Sequence, residues 1–265
     1  MKNPQLEFRA GELTAASFNE TLASHNCLLI RKQGPAWMIQ ETLRRALKVF
    51  EFRQRQFEQR QLPPGYHKNY DYGLMTYIGI RELDLPHESP FQIVSAFAKS
   101  SLRPLFEACL GKPLYFNLTE SAVRRQLPDR PELYIPFHQD GPFCQNPAWP
   151  QLNCWAPLVS CGSQAPGLEM LPVGLQEMLP VTPDQHEHYG HYALSDKEVF
   201  RHGRPEQLWH PGLEPGDVLL LNSYALHRTY AQPSMQTPRY SLELRFTGGD
   251  IPDTLRRDFC LLPLG

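Results

Sequence analysis

No stretch of this 265-residue chain approaches the ~18 consecutive apolar residues that a membrane span requires. Its opening, "MKNPQLEFRAGELTAASF", has neither an apolar core segment nor a small-residue cleavage site. A cytoplasmic protein without a membrane partner is therefore expected. An excess of one charge is also missing. Lys+Arg 26 against Asp+Glu 28 leaves a formal net charge of -2, which gives no electrostatic footprint for nucleic acid or an anionic surface. The cysteines, Cys27, Cys109, Cys144, Cys154, Cys161 and Cys260, include no C-x-x-C pair. Zinc-ribbon and dithiol redox motifs are thereby excluded, and the thiols read as reduced and buried. There is no internal repeat and no low-complexity tract.

What is present is a globular composition, 41% hydrophobic and 20% charged, with 26 prolines and 17 glycines spread along the chain. That spread suits many short strands joined by turns better than a linker. The length fits one all-β domain over 1–265 carrying peripheral helices. Residues 13–24 predict a short helix and "CLLIRK" a buried strand. From Ala36 to Arg60 the apolar positions Ile39, Leu43, Leu47 and Phe50 recur at helical spacing. A further helix is expected over Phe91 to Cys109.

After Gly111 the texture changes to short runs of period two. "LYFNLTESAVRRQL", "LYIPFHQD", "QLNCWAPLV", "GLEMLPV", "DVLLLNSYALHRTYA" and "RYSLELRFTG" predict strands. The expected fold is mainly β: a double-stranded β-helix (jelly roll, cupin-like) core over about 113–250, with N-terminal α-helices within a mixed part, 1–112, flanking it.

Within "PFHQDGPF", His138 and Asp140 stand two apart. In a strand that spacing turns both side chains to one face and Gln139 to the other. Neighbouring strands of a jelly roll can bring His227 of "DVLLLNSYALHRTY" beside them. Two imidazoles and a carboxylate leave about three positions open on an octahedral ion, the facial triad of non-haem Fe(II) oxygenases. Zinc with a bound water is the rival at such a site. In "TPRYSLELRF", Arg239 and Ser241 share one strand face, and a guanidinium fork beside a hydroxyl suits a carboxylate.

On these residues, together with "LNCWAPL", "GLEMLPVG" and "EPGDVLLLNSYALHR", the chain resembles the phytanoyl-CoA dioxygenase family of Fe(II)/2-oxoglutarate-dependent oxygenases over roughly residues 115 to 247. The resemblance implies that His138, Asp140 and His227 bind iron and that Arg239 binds the distal carboxylate of 2-oxoglutarate. It also puts Asn153, Thr229 and Arg125 near the cosubstrate. 2-Oxoglutarate then takes two metal positions and O2 the third, and a substrate is hydroxylated, demethylated or desaturated with release of succinate and CO2. Because Asp140 is present, halogenation is disfavoured. Where relatives usually read Pro-Gly-Ser-His, this chain reads Leu171-Pro172-Val173-Gly174-Leu175-Gln176. The implied partner is a small metabolite or natural product, acted on by a monomer or homodimer.

Plainer readings compete. An H-x-D pair alone is commonly a polar strand end, and a jelly roll can hold a structural metal or none. His186, His188 and His191 form a second histidine cluster, better read as a polar loop lacking the partners that orient metal ligands. Tyr66, His67, Tyr70, Tyr72, Tyr77, Phe143 and Trp155 are equally suited to a pocket and to a core.

Overall fold

The run "RYSLELRFTG" forms a strand, β9 (Arg239–Gly248), in which polar and apolar residues alternate strictly from Arg239 to Phe246. Both of its faces are buried, and the rest of the fold explains why. The computed structural model describes residues 5–59, 76–83, 89–141, 150–182, 189 and 191–264. Its larger sheet has eight strands: β1 (Glu7–Arg9), β2 (Cys27–Arg31), β7 (Val218–Asn222), β5 (Gln151–Pro157), β9, β4 (Leu114–Gln126) and β10 (Leu261–Pro263) in spatial order, with β3 (Tyr77–Gly79) also paired to β4. A smaller sheet pairs β6 (Gly167–Leu171) with β8 (Leu226–Tyr230). Together they make the expected jelly roll, and no helix among the described residues is long and apolar enough to cross a membrane.

Four helices, α1 (Ala15–His25), α2 (Ala36–Glu58), α3 (Ser89–Ala98) and α4 (Leu102–Leu110), precede β4 in sequence, with β1, β2 and β3 interleaved among them. Phe18, Ile39, Phe50, Phe97 and Phe106 from these helices bury against Leu28, Leu152, Leu220, Leu242, Leu244 and Phe246 of the larger sheet. The opposite face turns Leu29, Trp155, Leu219 and Leu221 toward Leu168 and Met170 of the smaller sheet. Successive residues of one strand thus feed two different cores, as the period of two requires. With helices over its apolar face, β9 turns Arg239, Ser241, Glu243 and Arg245 into the barrel, where all are nearly or fully buried.

Helix boundaries follow local chemistry. Thr14 caps α1 through a capping box with Ser17, satisfying amide groups that the first turn leaves unpaired. Asn26 ends the helix in the left-handed region at φ 59°, a conformation Asn tolerates better than most residues. The helix expected over Phe91 to Cys109 is instead α3 and α4, broken at Ser100, whose Oγ donates to the Phe97 carbonyl and accepts from the Leu102 amide.

Two expected strands also differ. "DVLLLNSYALHRTYA" divides into β7 and β8, in different sheets, because Asn222 Oδ1 accepts from the Tyr224 amide while its Nδ2 donates to Asn26. "LYIPFHQD" has a 3-10 turn at Pro131–Leu133 and then an extended run tied to β8 by one bridge, His138 to His227. Pro136 has no amide to donate, so a full ladder cannot form there. Gly174, in the departing segment, sits where an added Cβ would meet the Ala23 carbonyl at 2.4 Å. That segment packs on the end of α1, away from the barrel interior.

The helix layer meets the sheet most tightly at Phe246. Its ring centroid lies 4.0 Å from Phe97, 5.2 Å from Phe106 and 5.5 Å from Phe116. Replacing Phe246 by alanine should cost about 3–5 kcal/mol, as for a large core truncation. A urea midpoint that does not move would show that this cluster does not hold the helices to the barrel.

Candidate metal centre

His138, Asp140 and His227 each bring a ligand atom to one point in the barrel. Their ligand atoms lie within 4.8 Å of one another, and all three residues are buried. Asp140 Oδ1 is 3.7 Å from His138 Nε2 and 3.8 Å from His227 Nε2. Each Nδ1 faces a backbone carbonyl, His138 toward Pro136 at 2.9 Å and His227 toward Ala225 at 3.0 Å. A carbonyl accepts only, so both Nδ1 atoms carry the proton, and Nε2 of each ring is the nitrogen turned toward the carboxylate oxygen. That is the tautomer a metal requires.

The chain around the pair is fastened from behind. Gln139 points away, donating to the Glu177 and Tyr224 carbonyls and accepting from the Leu179 amide. The Gly141 amide bonds the Ser223 carbonyl, and a Cβ at Gly141 would meet Met178 at 1.8 Å. Burial, with His227 alongside, pushes His138 down to about 3. Burial by itself would raise the Asp140 carboxyl, yet Arg245 and the two imidazoles outweigh it and hold the group well below the usual carboxylate range. His138 is thus held neutral and Asp140 ionised, the protonation states in which these groups bind metal.

Arg239 is buried in the same cavity. Its Nη1 donates to the Gly167 carbonyl at 2.9 Å, and its guanidinium carbon lies 5.6 Å from the centre of the Trp155 ring. Leu168, Thr229 and Ile135 complete this end of the cavity. Trp155 Nε1, Asn153 Oδ1 and Ser241 Oγ are buried here without hydrogen-bond partners among the described residues. Buried polar groups are normally satisfied, so the two donors among them, Trp155 Nε1 and Ser241 Oγ, beside a buried guanidinium, fit an anionic group that completes them. The donor set likewise fits a first-row divalent ion.

Two of the expected contacts have other partners in the structure. Asn153 Nδ2 donates to Asp140 Oδ2 at 2.9 Å, so this amide holds the metal carboxylate. Thr229 Oγ1 accepts from the Ile135 amide. Arg125 requires a correction: its guanidinium lies over the Phe50 ring at 4.5 Å, on the helix-covered face. The adjacent Arg124 faces the metal cavity and bonds Glu243 at 2.9 Å. Consecutive strand residues face opposite ways, and nothing in "VRRQ" says which arginine turns inward.

Sequence reasoning also missed Glu243 and Arg245, although the alternation that pairs Arg239 with Ser241 extends to both. Tyr66, His67, Tyr70, Tyr72, Phe143, Cys144, His186 and His188 lie outside the described residues. His191 packs edge-on against Tyr192, which in turn packs on His138, and Tyr77 lies beneath Arg124.

The depressed His138 value has a consequence for the metal-free protein. The unfolded chain takes up a proton at this residue near 6.5 and the folded chain only near 3. Stability should therefore fall as pH drops from about 6.5 toward 3 and be fully present above that window. Urea melts between pH 7 and 4 should show this loss, and His138→Asn should flatten it; an identical slope in the variant would contradict the assignment.

No family model matches the chain, and no curated protein matches it in sequence. Solved structures do match. EvdO2 from Micromonospora carbonacea var. aurantiaca, complexed with 2-oxoglutarate, is 18% identical with a TM-score of 0.54, covering 91% of this chain and 93% of that one. The epimerase SnoN in complex with Fe3+, alpha ketoglutarate and nogalamycin RO is 14% identical with a TM-score of 0.54, covering 88% and 83%. EvdMO1 is 15% identical with a TM-score of 0.60, covering 89% of this chain and 50% of its own. The chain shares the jelly-roll fold of these proteins.

Proposed function

We propose that this protein is an Fe(II)/2-oxoglutarate-dependent oxygenase of a small metabolite or natural product, related to the phytanoyl-CoA dioxygenase family. The observation that carries the reading is the co-burial, in one cavity, of the His138, Asp140, His227 triad and Arg239. A structural metal site has no need of a buried guanidinium beside it. The fold shared with proteins crystallised with 2-oxoglutarate supports the same reading.

In this reading His138 and His227 present Nε2, and Asp140 presents Oδ1, to Fe(II). Arg239 holds the distal carboxylate of 2-oxoglutarate through a charge-assisted fork, with Trp155, Leu168 and Ile135 keeping water from that end. Thr229 and Ser241 would add hydroxyl contacts. The iron, when bound, supplies O2 activation coupled to cosubstrate decarboxylation, and the protein's own task is orientation and exclusion of water. Hydroxylation, demethylation and desaturation use the same residues, so the choice among them rests with the substrate.

An anaerobic titration with Fe(II) and then 2-oxoglutarate should produce a weak visible charge-transfer band, and Asp140→Ala should lose both the band and succinate formation while keeping its fold. Wild-type turnover by that variant would remove the iron assignment. Arg239→Ala should weaken 2-oxoglutarate binding by on the order of 2 kcal/mol, roughly thirtyfold in Kd. An unchanged Kd would mean that the cosubstrate is anchored elsewhere.

A further inference from the structure

We propose that Arg245 is a positioning residue that keeps Asp140 a one-oxygen metal ligand and so fixes how many coordination positions stay open. The inference rests on the metal-centre reading above and extends it to a residue outside the ligand set.

The two oxygens of Asp140 have different surroundings. Oδ2 lies 2.6 Å from Arg245 Nη1 and accepts from Asn153 Nδ2 at 2.9 Å. Oδ1 faces the two imidazole nitrogens at 3.7 and 3.8 Å. One oxygen is thus occupied by a cation and an amide, and the other is directed at the ion's position. The distinction decides the chemistry by count. On an octahedral ion, two imidazoles and one oxygen leave three positions, enough for a chelating 2-oxo acid and O2; two imidazoles and both oxygens leave only two. A carboxylate chelates readily when nothing holds its second oxygen.

Arg245 is itself held from two directions. Its backbone amide donates to Ser121 Oγ at 3.0 Å, and Ser121 Oγ donates to the Asn117 carbonyl at 2.6 Å, inside the irregularity that interrupts the β4–β9 register between Asn117 and Ala122. Bulges of this kind re-aim side chains near sites. On its other side, Arg245 Nη2 lies 3.9 Å from Glu243 Oε2, which accepts from Arg124 Nε at 2.9 Å. Asp140, Arg245, Glu243 and Arg124 form a row of alternating charge along the barrel wall. To chelate, Asp140 would have to leave the charge-assisted contact with Arg245, and Asn153 alone offers only a weaker neutral donor.

The test counts water on the bound ion. Mn(II) is loaded into the wild-type protein and into Arg245→Met, and bound waters are counted from the broadening of the Mn(II) resonance in 17O-enriched water. About three waters are expected in the wild type and two in the variant, with 2-oxoglutarate leaving one and none respectively. Three waters in the variant, with one left after 2-oxoglutarate, would overturn the inference while leaving the metal centre intact. If Arg245→Met does not fold, Arg245→Gln, neutral and polar, carries the same two outcomes. Wild-type Mn(II) binding that His227→Ala leaves untouched would overturn the metal-centre reading and this inference together.

Discussion

A carboxylate that is 1% exposed, set between two imidazoles, must be compensated before any metal arrives. An uncompensated buried ion costs several kcal/mol. Arg245 supplies the counter-charge at 2.6 Å, and Arg124 with Glu243 continue the balance outward along β4 and β9. This contact keeps Asp140 ionised, ties β9 to the segment that bears His138 and, in the proposed reading, leaves Oδ1 as the oxygen that meets the metal.

A polar barrel interior is possible because the apolar surface of the sheet is covered from outside. Helices α1 to α4 bury Leu242, Leu244 and Phe246 of β9 against Phe97 and Phe106, so hydrophobic burial and chemistry occupy opposite faces of one strand. The helices cover the sheet, and the sheet holds Arg124, Arg239, Glu243 and Arg245 inward at fixed spacing. Protein interiors are close-packed, so this arrangement would confine the proposed metal and cosubstrate to a narrow cavity.

Arg239, Trp155, Leu168 and Thr229 line the same cavity as the triad, and Asn153 and Arg245 contact the Asp140 carboxylate. The functional reading rests on the residues themselves, since one fold hosts many chemistries.

The sequence by itself determined the alternating strands of the barrel, the amphipathic α2 and the residue types of the ligand set, because these depend on periodicity and on the chemistry of His, Asp and Arg. His138, Asp140, His227 and Arg239 were legible because a same-strand spacing of two and the order of strands in a jelly roll constrain them. Other features were decided only by the tertiary structure. "DVLLLNSYALHRTYA" reads as one strand until Asn222 bonds across to Asn26 and turns the chain into the second sheet. Arg124 and Arg125 are indistinguishable until β4 settles its register against β9 and α2 places Phe50 beneath one of them. In "RYSLELRFTG", alternation gives the two faces of a strand without saying which one water will meet. The helices decide that by covering the apolar face, and in doing so they turn Glu243 and Arg245 from surface charges into the setting of the metal carboxylate.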